Sequence, residues 1–165
     1  MSMIGNLRLV SDEQLSDLFA DPEQVEDFLY ESDEPSPDED DVDKAWHGIH
    51  FLLTGSAWDG EPPLNFLVAG GRDIGHVDVG YGPARGFTAT EVAGIARALE
   101  KISSDDLRAR FDGEQLMNAE IYPEIWDRDS AEDDTLGYLV DYFEAMKALI
   151  SRGAREGRAL LVYIN

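Results

Sequence analysis

Hydrophobic residues recur along this chain at two spacings, which predict strands at both ends and helices between them. Near the start, Leu7 and Leu9 alternate with Asn6 and Arg8, as in a half-buried strand. Near the end, residues 159–164 (ALLVYI) are apolar on both faces, as in a central strand. Because both strands are short and apolar, we expect them to be adjacent in one sheet.

The intervening residues mostly follow helical spacing. Ser11 with Gln14, and Thr88 with Glu91, have the spacing of capping boxes and predict two helix starts. A last amphipathic helix is predicted from about 134 to 152. The fold class that follows is α+β. We expect one domain over residues 1–165, with a small sheet that includes both terminal strands and several helices on one face of it.

A helix predicted from about Asp41 to Leu53 is apolar on two sides, which is typical of a helix enclosed by others. Asp43, His47 and His50 lie on its polar edge at the spacing i, i+4, i+7. One carboxylate and two imidazoles are ligands that Zn or non-haem Fe accepts. The alternative is an Asp–His pair at the border of a buried helix. We expect no bound metal, because three ligands from one helix rarely converge and the two-histidine helical motif has a different spacing.

Negative charge is the compositional outlier. The formal net charge is -22, and residues 11–43 contain 15 Asp and Glu with no Lys or Arg. Such a field repels phosphate backbones and anionic lipid, so we expect neither nucleic acid nor membrane as a partner. It attracts a basic protein. The alternative is that the acidity serves solubility alone.

Residues 31–41 (ESDEPSPDEDD) hold seven of these acids and two prolines. They offer no apolar side chain to offset the entropy of ordering, so we expect a mobile surface loop.

The chain has no cysteine, which excludes disulfides and thiolate chemistry. It has no apolar run of roughly 20 residues and no signal-peptide pattern, so the cytoplasm is the expected compartment.

Two further groups are candidates for binding. One group is glycine-rich and has the composition of an anion-binding loop: Gly70-Gly71 and the 80–85 segment with Arg85. The alternative is that these glycines serve turns and close packing. Neither stretch matches a P-loop or dinucleotide fingerprint. Trp58, Tyr122 and Trp126 lie in predicted loops, where aromatic side chains either bind a partner or pack in the core. No G-x-S-x-G motif occurs, so we assign no catalytic residue and expect no cofactor.

Several blocks along the whole chain resemble the bacterial YfbM-like family, a domain of unknown function. They occur in the order MSMIGNLRLVS, DVDKAWHGIHFLLTG, GYGPARGFTATEVAGIARAL and MNAEIYPEIW, followed by the last helix and ALLVYI. The resemblance implies a single α+β domain in a bacterial cytoplasm. It supplies no catalytic residue.

Two functional hypotheses follow. The first is a non-enzymatic, acidic protein-interaction domain that binds a basic protein, for example as an inhibitor or immunity-type binder. The alternative is a small-molecule-binding protein or enzyme that uses the His47/His50 helix edge and the glycine-rich 70–86 loop. A pocket that joins His50 to Arg85 favours the alternative. A flat acidic surface with exposed aromatic side chains favours the first.

Overall fold

A five-stranded antiparallel sheet lies at the centre of the fold, and the two terminal strands are adjacent in it. The computed structural model describes residues 2–165. The strands are β1 (Gly5–Val10), β2 (Glu39–Asp41), β3 (Arg72–Asp73), β4 (Arg85–Phe87) and β5 (Ala159–Ile164). Their spatial order is β2-β1-β5-β4-β3. Gly5 pairs with Ile164 and Val10 with Ala159, so the predicted adjacency of the terminal strands is confirmed.

Helices provide the rest of the regular structure and confirm the α+β class. They are α1 (Asp12–Ala20), α2 (Val25–Tyr30), α3 (Trp46–Thr54), α4 (Ala89–Glu100), α5 (Ser104–Arg110), α6 (Gly113–Asn118) and α7 (Thr135–Arg155). The predicted capping boxes are present at Ser11 and Thr88. Across residues 2–165, no helix combines the length and apolar character needed to cross a membrane.

Helices cover both faces of the sheet, so the expectation of helices on one face was wrong. On one face, Leu7, Leu9, Leu160 and Val162 join a core built with α3, α4 and α7. On the other face, strand residues join a second core with α1, α2 and the 74–84 segment; they are Val10, Ala159, Leu161 and Tyr163. The reason is the sequence of β5, which is apolar on both faces and must be covered on both.

The acidic segment 31–41 is not a loop throughout. Its last residues form the edge strand β2, which pairs with β1 through Arg8 and Glu39. Asp38 forms salt bridges with Arg152 at 3.2 Å and with Arg158 at 3.1 Å. These contacts attach the end of the segment to the sheet and to α7. The mobility of residues 31–37 stays a prediction.

Gly48 lets helix α3 approach its neighbours closely. All residues from Trp46 to Leu53 are buried, as predicted for a central helix. A Cβ atom added at Gly48 would lie 2.7 Å from Leu139 Cδ2 and 3.1 Å from the Trp126 ring. Both neighbours are themselves buried, so neither side chain has free space into which to shift.

We predict that Gly48→Ala destabilises the protein by about 1–3 kcal/mol, because overpacking outweighs the gain in helix propensity. The matched control is Gly94→Ala in α4. Its added Cβ would meet only Arg97 Nη2, at 3.9 Å, so we expect a gain of about 0.5–1 kcal/mol. Urea unfolding of the three proteins measures both changes. Equal effects at the two glycines would show that close packing at Gly48 is unimportant.

Candidate functional site

His47 joins three segments of the chain at the end of the sheet. The backbone N–H of Tyr122 donates to His47 Nδ1 at 2.8 Å. Because Nδ1 is an acceptor, the neutral ring carries its proton on Nε2, which donates to the Ala57 carbonyl at 2.8 Å. Burial lowers the pKa of His47, against a smaller opposing effect of the Ala57 carbonyl. Both ring nitrogens are therefore used to connect α3 to the loops that contain Ala57 and Tyr122.

Trp58 is exposed to solvent, and its ring also packs against His47 and Trp46. Its ring lies 4.3 Å from the His47 ring and 6.1 Å from the Trp46 ring, measured between centroids. Its side chain is 59% exposed. One face of the indole is thus supported by buried rings, while the rest is available to a ligand. Of the two placements that the sequence left open for Trp58, the structure has the exposed one, and its role in binding stays a prediction.

His50 lies one turn further along α3 and is completely buried. The Thr54 hydroxyl donates to the His50 carbonyl at 2.9 Å, and its oxygen lies 3.3 Å from His50 Nε2. Nδ1 has no hydrogen-bond partner among the described residues. Burial lowers the pKa of His50 to about 4, outweighing the opposing effect of the Asp59 backbone. The ring is therefore neutral at pH 7.

Asp43, His47 and His50 do not form a common site. The α-helix begins at Trp46, and Asp43 lies in a preceding 3₁₀ turn with φ of 44°, so the helical spacing does not extend to it. The Asp43 carboxylate instead accepts a hydrogen bond from Tyr138 at 2.7 Å. Within residues 2–165, no group of three or more His, Cys, Asp or Glu side chains is arranged to hold a metal ion.

The exposed aromatic side chains gather at the C-terminal end of β5. Tyr30, Trp58 and Tyr81 are 44%, 59% and 42% exposed. The Tyr81 amide donates to the Ile164 carbonyl at 3.0 Å. The Tyr30 ring meets the Tyr163 ring edge-on at 6.3 Å. These contacts place Tyr30 and Tyr81 at the corner where β5 extends beyond its short neighbour β4. Trp58 lines a pocket at the same corner, and we call these three residues the aromatic rim.

A pocket of about 230 Å³ lies at this corner, and we call it the aromatic pocket. Its lining consists of four aromatic residues, several aliphatic residues, one Asp and one Arg. They are Trp46, Trp58, Tyr81, Tyr163, Leu67, Val68, Pro83, Val162, Ile164, Asp73 and Arg85. Two of the candidate residues, Arg85 and Trp58, thus line one pocket. Neither His47 nor His50 lines the pocket.

Arg85 has a structural task at the floor of this pocket. Its guanidinium donates to the backbone carbonyls of Leu67, Ala69 and Gly70. Burial lowers the pKa of Arg85 to about 10, and the nearby Asp73 carboxylate opposes this shift. A guanidinium with these hydrogen bonds has few donors left for an anion. The Arg85 guanidinium is therefore not available as the main anion-binding group of the candidate glycine-rich site.

Trp126 and Tyr122 are placed differently from Trp58. Trp126 is only 2% exposed, and its indole N–H donates to the Ile121 carbonyl at 2.8 Å. It belongs to the core, so its candidate role as a surface anchor was wrong. Tyr122 is half-buried, stacks on Trp46, and accepts a hydrogen bond from the Met3 amide at 2.9 Å. It supports the pocket wall from behind.

A strongly acidic surface lies beside the aromatic rim. We define the acidic face as the Asp and Glu residues between positions 12 and 41, on α1, α2 and the segment that ends in β2. Twelve of the 15 acids in residues 11–43 are exposed, and within residues 2–165 salt bridges reach only Asp38 and Glu39 among them. Tyr30 is the last residue of α2 and one of the rim residues, so the acidic face meets the rim at this side chain.

Sequence reasoning missed four residues of this corner: Tyr30, Asp73, Asp78 and Tyr163. Asp78 accepts hydrogen bonds from the amides of Gly80 and Gly82, which holds the turn that carries Tyr81. The Asp78-x-Gly80-x-Gly82 spacing was a signal for this turn, since Asp side chains commonly bond backbone amides two residues on. No sequence signal placed Tyr30 and Asp73 near Tyr163.

Comparison with known proteins identifies relatives over most of the chain. Residues 1–163 match the model of a family described as a domain of unknown function, DUF1877. Protein YfbM of Escherichia coli K12 is 30% identical over 128 residues, which are 75% of each chain. The crystal structure of E. coli YfbM, described as a protein of unknown function, has a TM-score of 0.73 at 26% identity. It covers 98% of this chain and 99% of that chain.

We predict that His50 makes the stability depend on pH. Its folded-state pKa of about 4 lies below the value near 6.5 expected in the unfolded chain. The unfolded state therefore binds more protons between these values, and the native state loses up to about 3 kcal/mol as the pH falls from about 6.5 to about 4. Urea unfolding of His50→Leu should show a smaller loss over this window.

The matched control is His76→Gln, because His76 is exposed and lies outside the core. This variant should keep the pH dependence of the natural chain. The carboxylates titrate in all three proteins, so the comparison isolates the imidazole. If His50→Leu and the natural chain lose equal stability on acidification, His50 is not held neutral by burial.

Proposed function

This chain belongs to the DUF1877 family, and we propose that it is a non-enzymatic protein-interaction domain that binds a basic protein. The observation that carries the proposal is that Tyr30, the last residue of the acidic helix α2, contacts Tyr163 at the end of β5, where the acidic face meets the aromatic rim. The acidic face supplies long-range attraction, and the rim supplies contact area. A domain of this kind can act as an inhibitor, by covering the active surface of a basic enzyme or toxin.

The aromatic rim has the properties of an interface centre. Aromatic side chains are enriched at protein interfaces, and a few of them often contribute most of the binding energy. Trp58 is the strongest candidate, because it is the most exposed of the three and is supported by His47 and Trp46. A side chain that is already held in place loses little conformational entropy when a partner binds.

The acidic face supports the choice of a basic partner. A one-signed field accelerates the encounter with an oppositely charged protein and disfavours an acidic one. Because most of the carboxylates have no salt-bridge partner within residues 2–165, their charge is available to a partner. An enzyme that uses His47 is less well supported, because both ring nitrogens of His47 form hydrogen bonds with backbone groups.

A second candidate function is small-molecule binding, and one cleft favours it. This cleft has a volume of about 640 Å³ and shares Asp73 and Arg85 with the aromatic pocket. Gly70, Gly71, Arg72 and His76 contribute to its lining. The volume falls within the range of ligand sites. The cleft is separate from His47 and His50, so the alternative function would use the glycine-rich segment without the histidines.

We predict that replacing Trp58 and neutralising acids change different steps of binding. The partner is first captured from native cell lysate, purified, and measured in association and dissociation by surface plasmon resonance. Trp58→Ala should raise the dissociation rate about tenfold or more, because an anchor acts after contact. Glu31→Gln, Asp33→Asn, Glu34→Gln and Asp40→Asn combined should slow association about tenfold at low salt.

The control neutralises four exposed acids elsewhere: Glu100, Glu114, Glu120 and Glu132. This variant should retain nearly the full association rate, because its charges lie outside the acidic face. Association of the natural chain should also slow as salt rises from about 50 to about 500 mM. The proposed function would be refuted by a captured partner that is acidic. It would also be refuted if neither Trp58→Ala nor the salt concentration changed the association and dissociation rates.

A further inference from the structure

We infer that the aromatic pocket binds an arginine side chain of the basic partner, with the guanidinium stacked on Trp58 and paired with Asp73. This inference rests on the proposed function for the identity of the partner. The pocket itself can be tested with small probes. The proposed occupant of the corner at the end of β5 is thus one arginine residue of the partner.

The walls of the pocket are suited to a planar cation. Trp46, Trp58 and Tyr81 line it, and the face of an aromatic ring attracts a cation through its negative π-surface. The volume of about 230 Å³ lies below the usual range of ligand sites and suits a single side chain. Arginine fits better than lysine, because its flat guanidinium stacks on rings and donates two parallel hydrogen bonds to a carboxylate.

Asp73 is the available counter-charge. It is exposed, lines the pocket, and its carboxylate makes no hydrogen bond or salt bridge to any residue in the described chain. The lining cation, Arg85, is directed at the carbonyls of Leu67, Ala69 and Gly70. Arg85 also interacts electrostatically with Asp73, and its positive charge opposes a second guanidinium, so the attraction of a partner's arginine depends on the surrounding acids as well as on Asp73.

Those surrounding acids act on the rim directly. Burial and the carboxylates of Glu26 and Asp78 raise the pKa of Tyr30, outweighing the hydrogen bond from Asn165. Burial, with smaller contributions from Tyr30 and Glu39, raises the pKa of Tyr163 to about 12. Burial is the largest cause of both shifts, and the smaller contributions of Glu26, Asp78 and Glu39 show that carboxylates lie near the aromatic corner.

The test titrates the purified full chain with N-acetyl-arginine amide and follows the indole N–H signals by NMR. N-acetyl-citrulline amide has nearly the same shape as the arginine probe but no charge. N-acetyl-lysine amide has the positive charge but no planar guanidinium group. We expect saturable shifts of the Trp58 signal, strongest with the arginine probe. Asp73→Asn and Tyr81→Ala should each weaken binding about 3- to 30-fold, as expected for a lost charge partner or ring.

The matched control is Asp105→Asn, which removes an exposed carboxylate on α5 and should leave the affinity unchanged. Equal binding of the citrulline probe, stronger binding of the lysine probe, or no saturable shift would overturn the inference. If the probes fail while a basic partner still depends on Trp58, the arginine assignment is wrong and the proposed function stands. If the arginine probe binds but no Trp58-dependent protein partner is captured, the pocket is a site for a small cation and the proposed function fails.

Discussion

The neutral imidazole of His47 is the interaction on which the candidate site depends. It accepts a hydrogen bond from the Tyr122 amide and donates one to the Ala57 carbonyl, so it fixes two loops against helix α3. The same ring supports Trp58, which is otherwise open to solvent. If the ring were protonated at Nδ1, it could no longer accept from Tyr122. A buried residue that first resembled a metal ligand is therefore the support of an exposed aromatic surface.

The sheet determines where this surface can form. Strand β5 is apolar on both faces, so two cores enclose it and hold it in the middle of the sheet. Its neighbour β4 is short and pairs with β5 only as far as Val162. Tyr163 and Ile164 therefore extend past β4, and the turn that carries Tyr81 meets them there. The aromatic pocket results from this difference in strand length, and the acidic helix α2 ends beside it at Tyr30.

Local patterns in the sequence were sufficient for the terminal strands, the caps at Ser11 and Thr88, and the central position of α3. They failed where conformation depends on distant residues. Strand β2 consists of acids, and it forms only because β1 presents a free edge to it. The left-handed Asp43 interrupted a helical spacing that looked continuous. The pocket combines residues far apart in the chain, and no periodicity can bring Trp58, Asp73 and Tyr163 together. Long-range packing decides such sites, and local propensity does not.

The central claim is that Trp58 is both exposed and held rigid, and NMR relaxation of its indole N–H measures this directly. The chain has three tryptophans, and the buried Trp46 and Trp126 serve as internal references. Our account predicts that the order parameter of Trp58 is close to those of the two buried side chains, near the value of about 0.85 that is typical of rigid groups. A value below about 0.6, typical of flexible groups, would contradict it. Trp58 would then be a mobile surface residue, and the preformed aromatic pocket would not exist.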